Sequence, residues 1–224
     1  LLVKGQGIAQ CYERPLWRSS VDVDLLLDDE NYKKASEYLK QQASYVDFED
    51  LYKKHLPLKF GIWDVELHGT LRGGLWKCVD HVIDKLQEET FRKRAVRVWR
   101  YKDTDIYLPD ANIDVLFVFT HILQHFFGSG IGLRQICDWC RLLWTYQKEI
   151  NWEFIESKLD EMKVMTEWKS FAAVAVDYLG MPKSKMPLYD SSPLWSQKAK
   201  QIIRFIIETG NFGHNRDLSY QRNS

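Results

Sequence analysis

Two short segments of the sequence carry acidic residues in alternation with apolar ones. Asp22 and Asp24 alternate with apolar residues in VDVDLLL. Asp64 and Glu66 alternate with apolar residues in IWDVEL. A period of two is typical of a β-strand and puts both acids of a segment on one side. Carboxylates this close repel one another unless a cation lies between them, and Mg²⁺ binds through carboxylate and phosphate oxygens.

If the two acidic strands are neighbours, Asp22, Asp24 and Glu66 are predicted to hold one or two Mg²⁺ or Mn²⁺ ions. Two ions would clamp the attacking and leaving oxygens of a phosphoryl or nucleotidyl transfer. A sheet edge with a solvated acidic face would give the same sequence pattern, so both interpretations stay open at this point.

A glycine-containing turn lies upstream of the first acidic segment. Residues 1–3 have the apolar character of a strand end, and residues 8–13 are predicted to form a short helix that stops before Pro15. Lys4 and Gly5 lie between them, where backbone N–H groups and a lysine ammonium can bind a phosphate. A simple turn explains the same residues.

The elements that must position these residues are predicted from hydrophobic periodicity. The expected strands cover residues 21–27, 45–51, 56–60 and 62–67, with a hairpin at 95–101 and 105–108. The expected helices cover residues 30–42, 75–91, 113–127, 131–148, 152–162, 165–179 and 193–208. The sequence therefore predicts an α+β fold. A domain at 1–110 has a small mixed sheet with flanking helices, and an all-helical domain at 111–224 walls the cleft.

Charge and cysteine usage exclude several classes of protein. The 224 residues include 31 Lys+Arg and 31 Asp+Glu, a formal net charge of +0, whereas nucleic-acid and anionic-membrane binders need a large basic excess. There is no apolar run of membrane-spanning length. The cysteines are few and scattered, so we expect free thiols and a cytoplasmic protein. Because the chain starts without Met, we expect a fragment, and an upstream targeting segment stays open.

The order of these features resembles the nucleotidyltransferase fold. That superfamily places a Gly-Ser turn after a strand, then Asp-x-Asp on a second strand and a single acid on a later one; here Lys4-Gly5 stands where Gly-Ser would. VKGQGIAQCYERPLWRSSVDVDLLL closely resembles a bacterial branch of uncharacterised nucleotidyltransferases, with its Lys-Gly, Tyr-x-x-Pro-like, Arg and Asp-x-Asp-Leu-Leu elements. VELHGTL, HILQHFFGSGIGLRQICDW and ETGNFG (residues 208–213) continue the resemblance.

The resemblance implies roles for individual residues. Asp22 and Asp24 match the first metal-binding pair, and Glu66 matches the third acid, which deprotonates or positions the acceptor hydroxyl. Lys4 and Gly5 match the phosphate loop. Further phosphate contacts are expected just before the acidic strand, from Arg18, Ser19 and Ser20, with pairing to Asp22 as the alternative for the arginine.

The implied activity is Mg²⁺-dependent transfer of a nucleoside monophosphate from a nucleoside triphosphate to an unidentified acceptor, with release of pyrophosphate. Two alternatives remain: a non-catalytic nucleotide-binding or scaffold protein that keeps the fold, and an antitoxin-like transferase acting on a partner protein or tRNA. Replacing Asp24 with Asn is expected to abolish transfer. It should leave the apo protein as stable or more stable, because it relieves repulsion from Asp22.

Other candidates lie outside the acidic strands. Arg134 and Asp138 are four residues apart on a predicted helix. They are expected either to contact the substrate or to form a structural ion pair, and the sequence does not decide between the two roles. Two predicted helices carry residues with the spacing of zinc ligands: His121 and His125 on one, Cys137 and Cys140 on the other. Both helices have the apolar character of core helices, so we expect these four residues to pack without metal. His68 is expected on the opposite strand face from Glu66, with a structural role.

A basic run follows the helix predicted at 75–91. It comprises Arg92, Lys93, Arg94, Arg97 and Arg100, with Trp99 and Tyr101 interleaved. RNA or another polyanion would bind such a run, and a solvated helix end followed by an edge strand explains it equally well.

Overall fold

The computed structural model describes residues 1–210, which form two compact units. The first comprises residues 1–74 and 80–114, and the second comprises residues 75–79 together with residues 115–210. The expected division of the chain at residue 110 stays a prediction. The ETGNFG segment, expected to continue the family resemblance, lies outside the described residues from position 211 onward.

A small mixed sheet lies in the first unit and confirms the expected α+β class in its coarser form. Its five strands are β1 (Leu2–Val3), β2 (Asp22–Leu26), β3 (Tyr45–Val46), β4 (His55–Phe60) and β5 (Trp63–His68). Their order across the sheet is β1-β2-β5-β4-β3, and only β2 and β5 run parallel. The two acidic segments therefore lie side by side at the centre of the sheet.

One face of this sheet is apolar and is covered by helix α2 (Asp29–Lys40). Asp28 caps the helix by accepting a hydrogen bond from the backbone N–H of Asn31 at 2.8 Å, as its position before the helical segment indicates. The core of this layer consists of Tyr32, Leu56, Leu58 and Leu67, with Leu25, Leu39 and Val65 packed against them. Burial of this face holds β2, β4 and β5 in register.

The other elements of the first unit are two helices, a 3₁₀ turn and a hairpin, and the longer helix begins in the second unit. Helix α1 (Gly5–Ala9) follows β1, a 3₁₀ turn covers Pro15–Trp17, helix α3 covers Lys77–Lys93, and β6 (Val96–Tyr101) pairs with β7 (Thr104–Pro109). The segment after β5 is bound to α3, because Gln87 donates a hydrogen bond to the Gly69 carbonyl at 2.7 Å. Helix α1 is shorter than the predicted segment 8–13 and begins earlier, directly at the glycine turn.

Helices account for the regular structure between Ala111 and Gly210. They are α4 (Ala111–Phe127), α5 (Leu133–Thr145), α6 (Trp152–Met162), α7 (Met165–Asp177), α8 (Pro193–Thr209) and a 3₁₀ turn at Lys183–Lys185. The second unit has an aromatic core, in which the ring centroids of Phe119, Trp139 and Trp168 are 4.8–5.3 Å apart. Among residues 1–210 no helix combines the length and the apolar character needed to cross a bilayer.

Most residues of the basic run at the end of α3 and along β6 form ion pairs within the chain. Lys93 pairs with Glu89 at 2.9 Å, and Arg100 pairs with Asp105 at 2.7 Å. Arg97 pairs with the buried carboxylate of Asp114, and its Nε donates a hydrogen bond to the Pro109 carbonyl at 2.7 Å. Three charges of the run are therefore engaged in ion pairs, which weakens the case for a nucleic-acid surface there.

The Arg97–Asp114 pair fixes the β6–β7 hairpin to the start of α4. Burial raises the pKa of Asp114 to about 6 despite the guanidinium beside it, so removing the arginine would leave a desolvated carboxylate. We expect Arg97→Met to lower the free energy of unfolding by about 3–5 kcal/mol.

The matched control is Arg100→Met on the same strand, whose ion pair is solvent-exposed. This change should leave the urea unfolding midpoint where it is. Equal midpoints for both variants would contradict a stabilising role for the buried pair.

Candidate metal and nucleotide site

The acidic residues meet where β2 pairs with β5. In this parallel pair Asp22 lies opposite Asp64, and Asp24 lies opposite Glu66. Residues directly opposite on paired strands project to the same face, so all four carboxylates share one side of the sheet. That side is opposite the apolar face covered by α2. The structure thus puts the three acids that the sequence singled out on the same face of two neighbouring strands.

His68 belongs to this face, and the expectation that it points away from Glu66 is wrong. The two residues are separated by one position on β5, and a strand with a period of two puts them on the same side. His68 Nε2 lies 2.8 Å from Asp24 Oδ1 and 3.4 Å from Glu66 Oε2. The alternation rule that identified the acids, applied one step further, identifies this histidine as well.

His55, at the start of β4, was not a sequence candidate. It lies directly opposite His68 in the β4–β5 pair. The two imidazoles are stacked with centroids 4.8 Å apart, and His55 Nε2 lies 3.1 Å from Glu66 Oε2. Its position follows only from the register of β4 against β5, which no local pattern around residue 55 reveals.

Lys4 supplies the nearest positive charge. Its Nζ donates a hydrogen bond to Asp24 Oδ1 at 2.8 Å. Its backbone has φ 54° and ψ −136°, a conformation that favours glycine and costs a residue with a side chain about 1–3 kcal/mol. The strain is located where the ammonium reaches the buried carboxylate, so the surrounding structure holds this cation at the acidic face.

The three acids differ in how well their charge is compensated. Burial opposes the charge on Asp24, but Lys4 and His68 outweigh it and hold the pKa of Asp24 below its usual value. His55 and His68 hold the pKa of Glu66 well below its usual range. Burial, followed by repulsion from Asp24 and Glu66, raises the pKa of Asp22. Asp22 is therefore the acid whose ionised form most needs a further cation.

The expected phosphate-binding residues gather at the start of β2. A side-chain carbon at Gly5 would lie 3.5 Å from the Asp22 carbonyl oxygen and 3.8 Å from both Arg18 and Ser20. Arg18 donates hydrogen bonds to Ser20 Oγ at 2.6 Å and to the Ser19 carbonyl at 3.3 Å. Because α1 has only five residues, the helix-dipole contribution expected at Gly5 is small.

Other sequence candidates lie in the second unit. Arg134 is half-buried and Asp138 is buried on α5, so their contact with substrate stays a proposal. On α4 the rings of His121 and His125 are in edge contact with centroids 4.4 Å apart. On α5 burial raises the pKa of the Cys140 thiol to about 12. Within residues 1–210 the side chains grouped closely enough for a metal ion are His55, Glu66 and His68.

The stability expected for Asp24→Asn needs correction. Asp24 is 3% exposed and contacts the ammonium of Lys4 and the ring of His68, so neutralising it leaves a half-buried ammonium without its carboxylate. We expect this change to destabilise the apo protein by about 1–3 kcal/mol. Asp22→Asn should instead raise the apo melting temperature, because it removes the charge that burial and its neighbours disfavour. Thermal unfolding without ligand would contradict this assignment if both variants shifted in the same direction.

Comparison with known proteins gives one match. A family described as uncharacterised nucleotidyltransferase matches residues 1–180. No curated protein and no solved structure shows significant similarity to the chain. The matched region contains the whole acidic face, Lys4 and both histidines, and it supports a general nucleotidyltransferase role. The chain belongs to this family of uncharacterised nucleotidyltransferases.

Proposed function

We propose that this chain transfers a nucleoside monophosphate from a nucleoside triphosphate to an acceptor hydroxyl and releases pyrophosphate. The observation that carries the proposal is the register of β2 and β5. It puts Asp24 opposite Glu66, with Asp22 two residues before Asp24 on the same face of β2. Three carboxylates on one sheet face, one of them poorly compensated, suit a hard divalent cation. Family membership supports the same general role.

Asp22 and Asp24 are the proposed ligands of Mg²⁺ or Mn²⁺, with Glu66 as the third acid. Lys4 and His68 both contact Oδ1 of Asp24, so its second oxygen, Oδ2, would face the ion. A bound divalent ion supplies positive charge that stabilises the negative charge developing on the phosphate oxygens. The donors present are oxygens of carboxylates, which fit such an ion.

The remaining roles fall to side chains around this centre. Lys4 and Arg18 are the proposed contacts of the β- and γ-phosphates, together with Ser19, Ser20 and the backbone at Gly5. Glu66, held ionised by two histidines, would orient the acceptor hydroxyl. The acceptor oxygen forms a bond to the α-phosphorus while the bond to the bridging oxygen breaks. The electron pair leaves with pyrophosphate, and the hydroxyl proton passes to water.

We expect nucleoside triphosphates to raise the melting temperature of the wild-type protein only when Mg²⁺ or Mn²⁺ is present. A ligand at a hundred times its Kd adds about 2.7 kcal/mol. Asp22→Asn should abolish this stabilisation and pyrophosphate release, because it removes a metal-binding charge. The control is Asp103→Asn, an exposed acid in the β6–β7 turn, which should behave as wild type.

The outcomes separate the alternatives. If no triphosphate stabilises the wild-type protein, nucleotide binding is excluded and a scaffold role replaces it. If triphosphates bind but no pyrophosphate is released with small acceptors, tRNA or protein acceptors, the chain is a non-catalytic nucleotide-binding protein. Release that requires a tRNA or a protein would favour the antitoxin-like alternative.

A further inference from the structure

Two histidines converge on Glu66 beside the acidic pair, and the proposed transfer gives neither histidine a role as a metal ligand. His55 Nε2 lies 3.1 Å and His68 Nε2 lies 3.4 Å from the same oxygen, Oε2 of Glu66. One ligand atom from each of the three residues lies within 4.8 Å of the others. The group is built on two neighbouring strands, since His55 is paired with His68 across β4 and β5.

His55 carries the second observation. Its Nε2 is buried and has no hydrogen-bond partner among the described residues, although Glu66 Oε2 is close, in a geometry that does not make a hydrogen bond. A buried ring nitrogen without a hydrogen bond is costly and needs a proton acceptor, a proton donor or a metal ion. The nitrogen lies at a carboxylate that a second imidazole also approaches, which is the arrangement of a metal-ligand set.

The chemistry of these donors differs from that of the acidic pair. Mg²⁺ is bound through oxygen atoms, whereas imidazole nitrogen suits Zn²⁺ and other divalent transition metals. A site of two histidines and one carboxylate leaves a coordination position open, as in catalytic zinc sites. Asp24, whose Oδ1 lies 2.8 Å from His68 Nε2, is the nearest further oxygen donor.

The separations fit an ion of this kind. Metal–ligand distances of about 2.0–2.1 Å with tetrahedral angles place neighbouring ligand atoms roughly 3.4 Å apart. The 3.1 and 3.4 Å separations at Glu66 are close to that value. The imidazole planes differ by only 20°, so the rings must rotate about their side-chain bonds to direct both lone pairs at one ion. Such rotation changes no strand pairing.

We propose that His55, Glu66 and His68 bind one divalent transition-metal ion, distinct in its ligands from the Mg²⁺ proposed at Asp22 and Asp24. The two ions would lie on the same acidic face. The chain would then carry a nitrogen-and-oxygen site selective for transition metals beside an oxygen site for Mg²⁺.

The test uses Zn²⁺ alone as the probe, with the metal-stripped chain in an excess of Mg²⁺ and no nucleotide. We expect one Zn²⁺ per chain by titration. The X-ray absorption spectrum of the zinc-loaded wild type should show nitrogen and oxygen ligands at about 2.0–2.1 Å and no sulfur at about 2.3 Å. This spectrum needs no variant, so it decides the question even if a substitution impairs folding.

Two variants locate the ion. His55→Gln and Glu66→Gln should each weaken Zn²⁺ binding by more than about 100-fold, because even outer partners of metal ligands contribute 10–100-fold. His81→Gln, which removes an exposed histidine of α3, is the matched control and should bind Zn²⁺ as wild type does. Circular dichroism of each variant confirms folding.

The proposal is overturned if the wild type binds no Zn²⁺ in excess Mg²⁺, if sulfur ligands are present, or if folded His55→Gln binds with unchanged affinity. The histidines would then serve only as partners of Glu66. This result is independent of the transfer activity, because Asp22→Asn should lose nucleotide stabilisation and keep its Zn²⁺. If the protein binds Zn²⁺ but no nucleotide, only the transferase proposal is rejected.

Discussion

The central constraint in this protein is the negative charge concentrated where β2 and β5 pair. Parallel pairing puts Asp24 beside Glu66 and Asp22 beside Asp64 on one sheet face. Carboxylates at these separations destabilise one another unless cations compensate them. Lys4 supplies a positive charge 2.8 Å from Asp24, and Lys59 supplies one 3.3 Å from Asp64, while the imidazoles of His68 and His55 lie against Asp24 and Glu66. Asp22 has the least compensation, which is why we propose an external cation there.

Lys4 compensates the charge of Asp24 from a strained backbone conformation. The residue takes a conformation that a glycine would adopt without strain, yet it carries the ammonium that reaches Asp24. The lysine in this turn therefore has a visible structural purpose, because its ammonium compensates the buried carboxylate of Asp24. It also puts a cation at the edge of the site where phosphate groups are expected to bind.

Much of this arrangement follows from the sequence, and the parts that do not have identifiable physical reasons. Alternation in VDVDLLL and IWDVEL predicts the strands and the shared face of their acids, because side-chain direction in a strand is a local property. His68 was available to the same rule and was misassigned. His55 depends on the register between β4 and β5, and the Lys4–Asp24 pair depends on the β1–β2 pairing; both are long-range properties. The stability expected for Asp24→Asn from the sequence considered only repulsion from Asp22, and the contacts of Asp24 with Lys4 and His68 reverse the expectation.

Because side chains alternate between the two faces of β2 and β5, substitutions on the two faces have different effects. On β2 and β5, Leu25, Val65 and Leu67 pack into the core beneath α2, while the intervening Asp24, Glu66 and His68 form the opposite face. Substitutions at the apolar set act on folding, whereas substitutions at the polar set also change the charges and donors of the site. A one-residue slip between the strands would exchange the two sets, so the packed core preserves the register of the chemistry. The apolar face can therefore keep β2 and β5 in register while a substitution on the opposite face changes the chemistry of the site.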